Sequence, residues 1–283
     1  NDNFPQVEAD MWLEKPDEKF SMMKGYSELR VPDGEEREYD LFIAVDCAAL
    51  DRLGKAQPAF EKARKTLCID HHVSNKGYAL INVIDGDASS ACEVICRLLD
   101  MEKISKDAAS ALYMGIAHDT GVFQYSCTSP DTMRVAAMLM EKGVPHTYIL
   151  EETYYKKTYR QNQVMGKALL ESMRLMDGKI IISVMRTREM DFFGVTTTDL
   201  DGIVSQLKLT EGVEVAIFLY EVGNMEFKVS LRSKEQVDVS KVASYFGGGG
   251  HVRAAGVTMK GTFHDIINNL TLHIERQMLH QEE

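Results

Sequence analysis

Short apolar runs alternate with longer segments of helical period along this chain, and that alternation predicts its architecture. Tyr39–Asp46 (YDLFIAVD) is a brief apolar run ending in an acid, the pattern of a strand buried in a parallel sheet. Thr66–Asp70 (TLCID) and residues 80–85 (LINVID) repeat it. Helical spacing fills about Asp51–Arg64, Cys92–Leu99, Lys106–Ile116 and Asp131–Lys142, with Ser89 and Ser90 placed as an N-cap and Gly143 as a stop. Strands alternating with helices predict βαβ units and a mainly parallel sheet. Residues 1–38 are polar and acidic, with no clear period. Residues 145–176 read as helical and connecting. A second region carries strands at Lys179–Met185, Val213–Tyr220 and Phe227–Leu231, helices near 199–208 and 238–246, and a long closing helix at about 262–279. The fold class is therefore α/β, in three parts: a domain over 1–150, a helical linker over 151–176, and a smaller α/β domain over 177–283.

Composition narrows the function. The chain has 283 residues, 45% of them hydrophobic and 27% charged, ordinary values for a protein that buries a core. Of its formal charge of −11, seven units fall in residues 1–40, leaving −4 for the remainder. Such a chain lacks the field that attracts a long polyphosphate backbone, so no long nucleic acid is expected as partner; a short phosphorylated substrate remains compatible. The five cysteines (Cys47, Cys68, Cys92, Cys96 and Cys127) are odd in number and contain no CxxC pair, so they read as free thiols of a cytoplasmic protein. No apolar run approaches the ~20 residues that span a bilayer, so no membrane partner is expected. The sequence opens on Asn1 rather than Met, and a segment upstream is expected.

Candidate chemistry lies where parallel strands end, because ligands of open parallel sheets sit outside their carboxyl edges. Asp46 and Asp70 end two strands, His71 and His72 follow directly, and Asp119 is expected in a glycine-flanked loop, GIAHDTG (115–121), after the helix. A lone strand-end aspartate is usually a turn or helix cap. Two adjacent histidines after a buried strand are harder to explain by packing, and the combination suits a divalent cation such as Mn²⁺ or Mg²⁺. His118 reads as a supporting or plain loop residue; His146, His264, His273 and His280 read as solvated. A second distinctive element is Gly247–Gly250 with His251 and Arg253 (GGGGHVRAAG), where glycine amides can turn toward an anion without Cβ obstruction. Arg232 and Ser233 end the preceding strand and can reach the same ligand.

Taken together, Asp46, Asp70-His71-His72, Asp119 in the HDTG stretch and GGGGHVRAAG resemble the successive motifs of the DHH/DHHA1 phosphoesterases over nearly the whole chain. The likeness is greatest to the bacterial branch of bifunctional oligoribonucleases and pAp phosphatases, with cyclic-di-AMP and pApA phosphodiesterases as near relatives. The resemblance implies a catalytic DHH domain at 1–150 and a substrate-binding DHHA1 domain at 177–283. It implies that Asp46 bridges two Mn²⁺ ions, that His71 and Asp119 ligate one of them, that Asp70 orients His71, and that His72 sits near the phosphate. Arg232, Ser233, Gly248, Gly249, Gly250, His251 and Arg253 would hold a small nucleotide or very short oligonucleotide, and a homodimer would be a common assembly. The family's opening HxxPDxDxxGS motif has no counterpart, since Asp2, Glu8 and Asp10 lack its histidine and spacing; an impaired chain is the expectation. Two other readings remain open: a non-catalytic nucleotide-binding protein, and an inorganic pyrophosphatase or polyphosphatase.

Overall fold

The computed structural model of the chain describes residues 2–34 and 38–279, so His280 lies outside the described residues. The chain forms two compact units, Asn1–Lys156 and Lys157–Glu283.

In the first unit, β1 (Phe42–Val45), α1 (Gln57–Lys62), β2 (Thr66–Asp70) and β3 (Ile81–Ile84) build a three-stranded parallel sheet of order β1-β2-β3. Its register aligns Val45 with Ile69 and Asp70 with Ile84, so the carboxyl ends of all three strands lie at one edge. Then follow α2 (Ala91–Leu98), α3 (Lys106–Asp119), α4 (Pro130–Glu141) and α5 (His146–Leu150). Serines cap three of these helices: Ser90, Ser105 and Ser129 each accept a backbone N–H of the first turn. Ile116, Leu139 and Ile149 are fully buried where α3, α4 and α5 meet. The anticipated helix over 51–64 is shorter than its spacing suggests. Leu50–Ala56 forms 3₁₀ turns broken at Gly54 (φ +52°), and Pro58 starts α1 afresh in its first turn. The aperiodic residues 2–31 touch both α3 and β1, with Trp12 packed against Tyr39 and Phe42. Ser105 N–H donates to Asp2, Lys24 pairs with Asp107, and the Phe20 ring packs against His118.

The segment expected to link two domains divides instead between the units. Glu151–Tyr155 continues α5 as a π-helical turn in the first unit. In the second, α6 (Tyr159–Leu170) buries Val164 and Ala168 against the sheet, and such apolar anchors give it a core to join. There, β4 (Met173–Leu175), β5 (Ile180–Met185), α7 (Thr187–Phe193), α8 (Ile203–Lys208), β6 (Val215–Gly223), β7 (Glu226–Ser233), α9 (Val239–Tyr245), β8 (Gly249–His251), β9 (Ala254–Lys260) and α10 (Phe263–Leu279) follow. The sheet order is β4-β5-β6-β7-β9-β8, antiparallel except between β5 and β6. One face carries Ile182, Ile217, Leu219, Val229 and Leu231 under α9 and α10. Each such side chain contributes about 1.5–3 kcal/mol when fully buried. The other face is covered by α6, α7 and α8 over β5 and β6, where Ile181, Ala216 and Phe218 are buried. Along β7, β9 and β8 that same face carries polar or small residues. This difference places the second candidate site.

Candidate metal centre and anion-binding face

In the first unit, β1 and β2 deliver Asp46 and Asp70 to the same sheet edge, and the turn after β2 carries both histidines. Asp46 adopts a left-handed backbone (φ +55°), an uncommon conformation for a residue with a side chain and a frequent mark of functional positions. One ligand atom each of Asp46, His71 and His72 can be chosen so that all lie within 4.8 Å of one another. His71 Nε2 stands 3.4 Å from Asp46 Oδ1 and 3.9 Å from Asp119 Oδ2. The other ring nitrogen, Nδ1, is 3.4 Å from the Ala88 carbonyl, the arrangement that turns the Nε2 lone pair toward the two carboxylates. Asp119 arrives from the last turn of α3 rather than from the expected loop, because the helix runs on through His118, and three left-handed residues, Gly121, Val122 and Phe123 (φ +57°, +57° and +64°), follow shortly after.

The electrostatics agree with this crowding. Hydrogen bonding to Asp46 raises the His71 pKa above the ordinary imidazole value; burial opposes it, and Asp119 adds to the rise. Burial pushes the Asp119 carboxyl up, and the negative charge of Asp46 pushes it further. Two carboxylates that repel one another across a half-buried imidazole gain from a cation between them. The chemistry of the donor set fits Mn²⁺ or Mg²⁺.

Asp70 is fully buried and does not hold the His71 ring. It accepts from the His71 backbone N–H at 2.8 Å and from His72 Nδ1 at 2.7 Å, so the ring it orients is that of His72. The anticipated pairing puts the right carboxylate on the wrong neighbour, because adjacent side chains leave a strand end in different directions. Burial is the largest influence on Asp70 and acts upward, yet bonds from His72, Asn75 and the His71 amide hold its carboxyl below the ordinary range.

Asn75 was not among the expected site residues. Its buried amide donates to Asp70 Oδ2 at 2.6 Å and to the Cys47 carbonyl at 3.1 Å, while its oxygen accepts the Gly77 N–H at 2.9 Å. One side chain thereby ties the residue after Asp46 to the carboxylate before His71. Its position five residues beyond Asp70 gave only a turn signal. His118 contacts residues outside the cluster: its ring lies 5.5 Å from both Phe20 and Tyr154, and Nε2 is 2.9 Å from Thr153 Oγ1. That hydroxyl already donates to the Ile149 carbonyl at 2.7 Å, so the imidazole is the donor. The solvated reading suits His264, which is exposed; His146 and His273 are half-buried against the Tyr113 and Tyr245 rings. The cysteines are free thiols, and burial pushes that of Cys92 up to about 12.

In the second unit the residues named from the sequence separate. Cross-strand register puts Arg232, Ala254 and His251 in one row on the face that α6, α7 and α8 leave open. Ser230, Gly256 and Gly249 form the next row, and Lys228 with Thr258 the third. The floor is small and its rim polar. A groove of about 160 Å³ runs beside it, lined by Phe218, Tyr220, Lys228, Ser230 and Arg232 from the sheet and by Asp201 and Val204 from the segment above. Ser233 faces the other way: it is buried, and its hydroxyl donates to the Val237 carbonyl at 2.6 Å, which takes it out of the expected anion site. Arg253 spends one N–H on the same Val237 carbonyl, at 2.9 Å.

The glycines form an edge strand rather than an open cradle. A Cβ at Gly248 would stand 2.3 Å from the Gly256 carbonyl oxygen, and one at Gly250 (φ +145°) would stand 2.5 Å from that of Ala254. Close approach of β8 to β9 requires both. At Gly249 a Cβ would meet nothing within 4 Å, so that position is open.

Comparison with known proteins follows the same division. The model of the DHH family, N-terminal domain, matches residues 3–116, and that of the DHHA1 domain matches residues 177–276. The chain is 29% identical over 195 residues to the bifunctional oligoribonuclease and PAP phosphatase NrnA of Thermus thermophilus, covering 68% of this chain but only 58% of that protein. Identity to the probable NrnA of Streptococcus mutans is 29% over 267 residues, 90% of this chain and 80% of the relative. For Bacillus subtilis NrnA it is 26% over 233 residues, 80% and 72%. An exopolyphosphatase-related protein from Bacteroides fragilis superposes with a TM-score of 0.85 at 24% identity, over 95% of this chain and 82% of that one, a likeness of fold. Among the described residues, no helix is long and apolar enough to cross a membrane.

Proposed function

We propose that this chain, which belongs to the DHH/DHHA1 family, is a divalent-metal-dependent phosphoesterase acting on small nucleotides or very short oligonucleotides. The observation that carries the reading is the convergence of Asp46, His71 and Asp119, with His71 Nε2 within 3.9 Å of a carboxylate oxygen of each acid. Those three residues would hold Mn²⁺ or Mg²⁺. A bound cation of this kind neutralises phosphoryl charge and favours in-line attack by water. His72, its Nδ1 engaged by Asp70, keeps Nε2 to exchange a proton with the phosphoryl or leaving oxygen. Arg232 and His251 would bind the nucleotide over the small floor of Ala254, Gly256 and Gly249. The names of the relatives, oligoribonuclease and PAP phosphatase, support this substrate class.

The test is hydrolysis of pAp, pApA and two- to five-residue RNA by the full-length protein, with Mn²⁺ and with chelator, pyrophosphate serving as the contrast. Mn²⁺-dependent release of mononucleotides is expected. No turnover of any nucleotide substrate, or a clear preference for pyrophosphate, would remove the reading.

A further inference from the structure

A lysine that no motif selects stands beside the anion-binding face. Lys208 closes α8, one helical turn beyond Val204, which lines the groove together with Arg232. Residues four apart share a helix face, so Lys208 continues the wall that Val204 begins. Lys234 reaches the same place from the end of β7: its Nζ is 3.3 Å from the carbonyl of Thr210, two residues past Lys208. Lys208 is half-buried, and among the described residues no hydrogen bond or ion pair reaches its ammonium. Burial is the main cause that holds its pKa below the ordinary lysine value, and the charges of Arg232 and Lys234 add to it. A protein that serves only its own stability pairs such a cation or exposes it. Two lysines at the end of α8, one of them partly desolvated and unpaired, next to a groove that Arg232 lines are an arrangement that an incoming anion completes.

We propose that Lys208, together with Arg232 and Lys234, forms a phosphate subsite at the end of the second unit's groove, and that it takes the phosphate monoester of a nucleotide. Arg232 lines the groove from the sheet side, and Lys208 closes the helix whose Val204 lines the opposite wall, so the phosphate would be held from two elements. Lys228 and Tyr220 extend the groove along the sheet, where the nucleoside would lie. Only the identity of the ligand rests on the phosphoesterase reading; the subsite itself rests on the placement of the cations.

Calorimetric titration of the full-length chain in chelator, with AMP, adenosine and inorganic phosphate, tests this apart from catalysis. AMP is expected to bind more tightly than adenosine, and inorganic phosphate to compete with it. Lys208→Met is expected to weaken AMP about 10-fold, the effect of one charge-assisted contact, and to leave adenosine unchanged. Lys234→Met should act in the same direction, whereas Lys241→Met, at an exposed ion pair with Asp238, should change nothing. The melting temperature of Lys208→Met should equal or exceed that of the parent, because an unpaired, partly desolvated charge is removed. A lysine that merely stabilises the end of α8 would lower it. Equal AMP affinity in parent and Lys208→Met, or equal losses for AMP and adenosine, would overturn the subsite. Loss of AMP preference in Lys208→Met alongside absent Mn²⁺-dependent hydrolysis would uphold the subsite and overturn the phosphoesterase reading instead.

Discussion

The two units place their polar chemistry by different means. In the first, functional side chains stand where parallel strands run out, so backbone that belongs to no sheet must aim them. Asp46 is left-handed, Asp119 precedes a left-handed turn, and Asn75 braces both strand ends. In the second, Arg232, Ala254 and His251 inherit their common direction from antiparallel register, and the pleat does the aiming. The lesson is that the candidate metal centre would depend on residues that touch no ligand, whereas the candidate anion-binding face would depend mainly on those that do.

Substitutions can break or sharpen that contrast. The largest effect is expected from His71→Ala, which removes a proposed direct ligand and should lower Mn²⁺ affinity more than about 100-fold, beyond the range typical of outer partners. Titration of Mn²⁺ by calorimetry reads it; unchanged binding would withdraw the metal assignment. Glu93→Ala comes next. This fully buried carboxylate accepts from Ser89 and Thr132 and pairs with Arg97, so its loss should cost the first unit about 3 kcal/mol in chemical denaturation. Burial is the largest influence on Glu93 and acts upward, but those partners hold its pKa below the ordinary value of 4.5. A depressed carboxyl stabilises fully above its unfolded value and loses that contribution as pH falls through its folded one. The gap between parent and variant should therefore be complete at pH 7 and narrow as pH falls below 4.5.

Gly250→Ala is expected to cost the second unit about 2 kcal/mol, since an alanine there is strained and meets the Ala254 carbonyl. A neutral result would mean that β8 yields easily and that the glycines serve some other end. The smallest and most diagnostic change is Asn75→Ala. It touches no candidate ligand, yet it should weaken Mn²⁺ about 10-fold, while Ser230→Ala on the open face leaves the metal unaffected. If Asn75→Ala lowers only the melting temperature, the brace is structural and the contrast between the units falls.

Much of the first unit was legible in the sequence because its signals are local. Three apolar runs ending at 46, 70 and 85 are parallel strands in the structure, with capped helices between them. Asp46, His71, His72 and Asp119 do converge, and their residue types alone suggested a cation. The second unit was less legible. β8 and β9 hide in a run read as an anion-cradling turn, because glycines carry no strand propensity and their requirement arises from the neighbouring strand.

Local periodicity and residue type were thus enough to locate two α/β regions, the acids at strand ends and the glycine element. Which ring Asp70 holds, why Ser233 turns inward and how Asn75 joins two strand ends were settled only by tertiary structure. The reason is geometric. Neighbouring side chains on a strand point to opposite faces, and which face is open depends on strands and helices paired from distant parts of the chain.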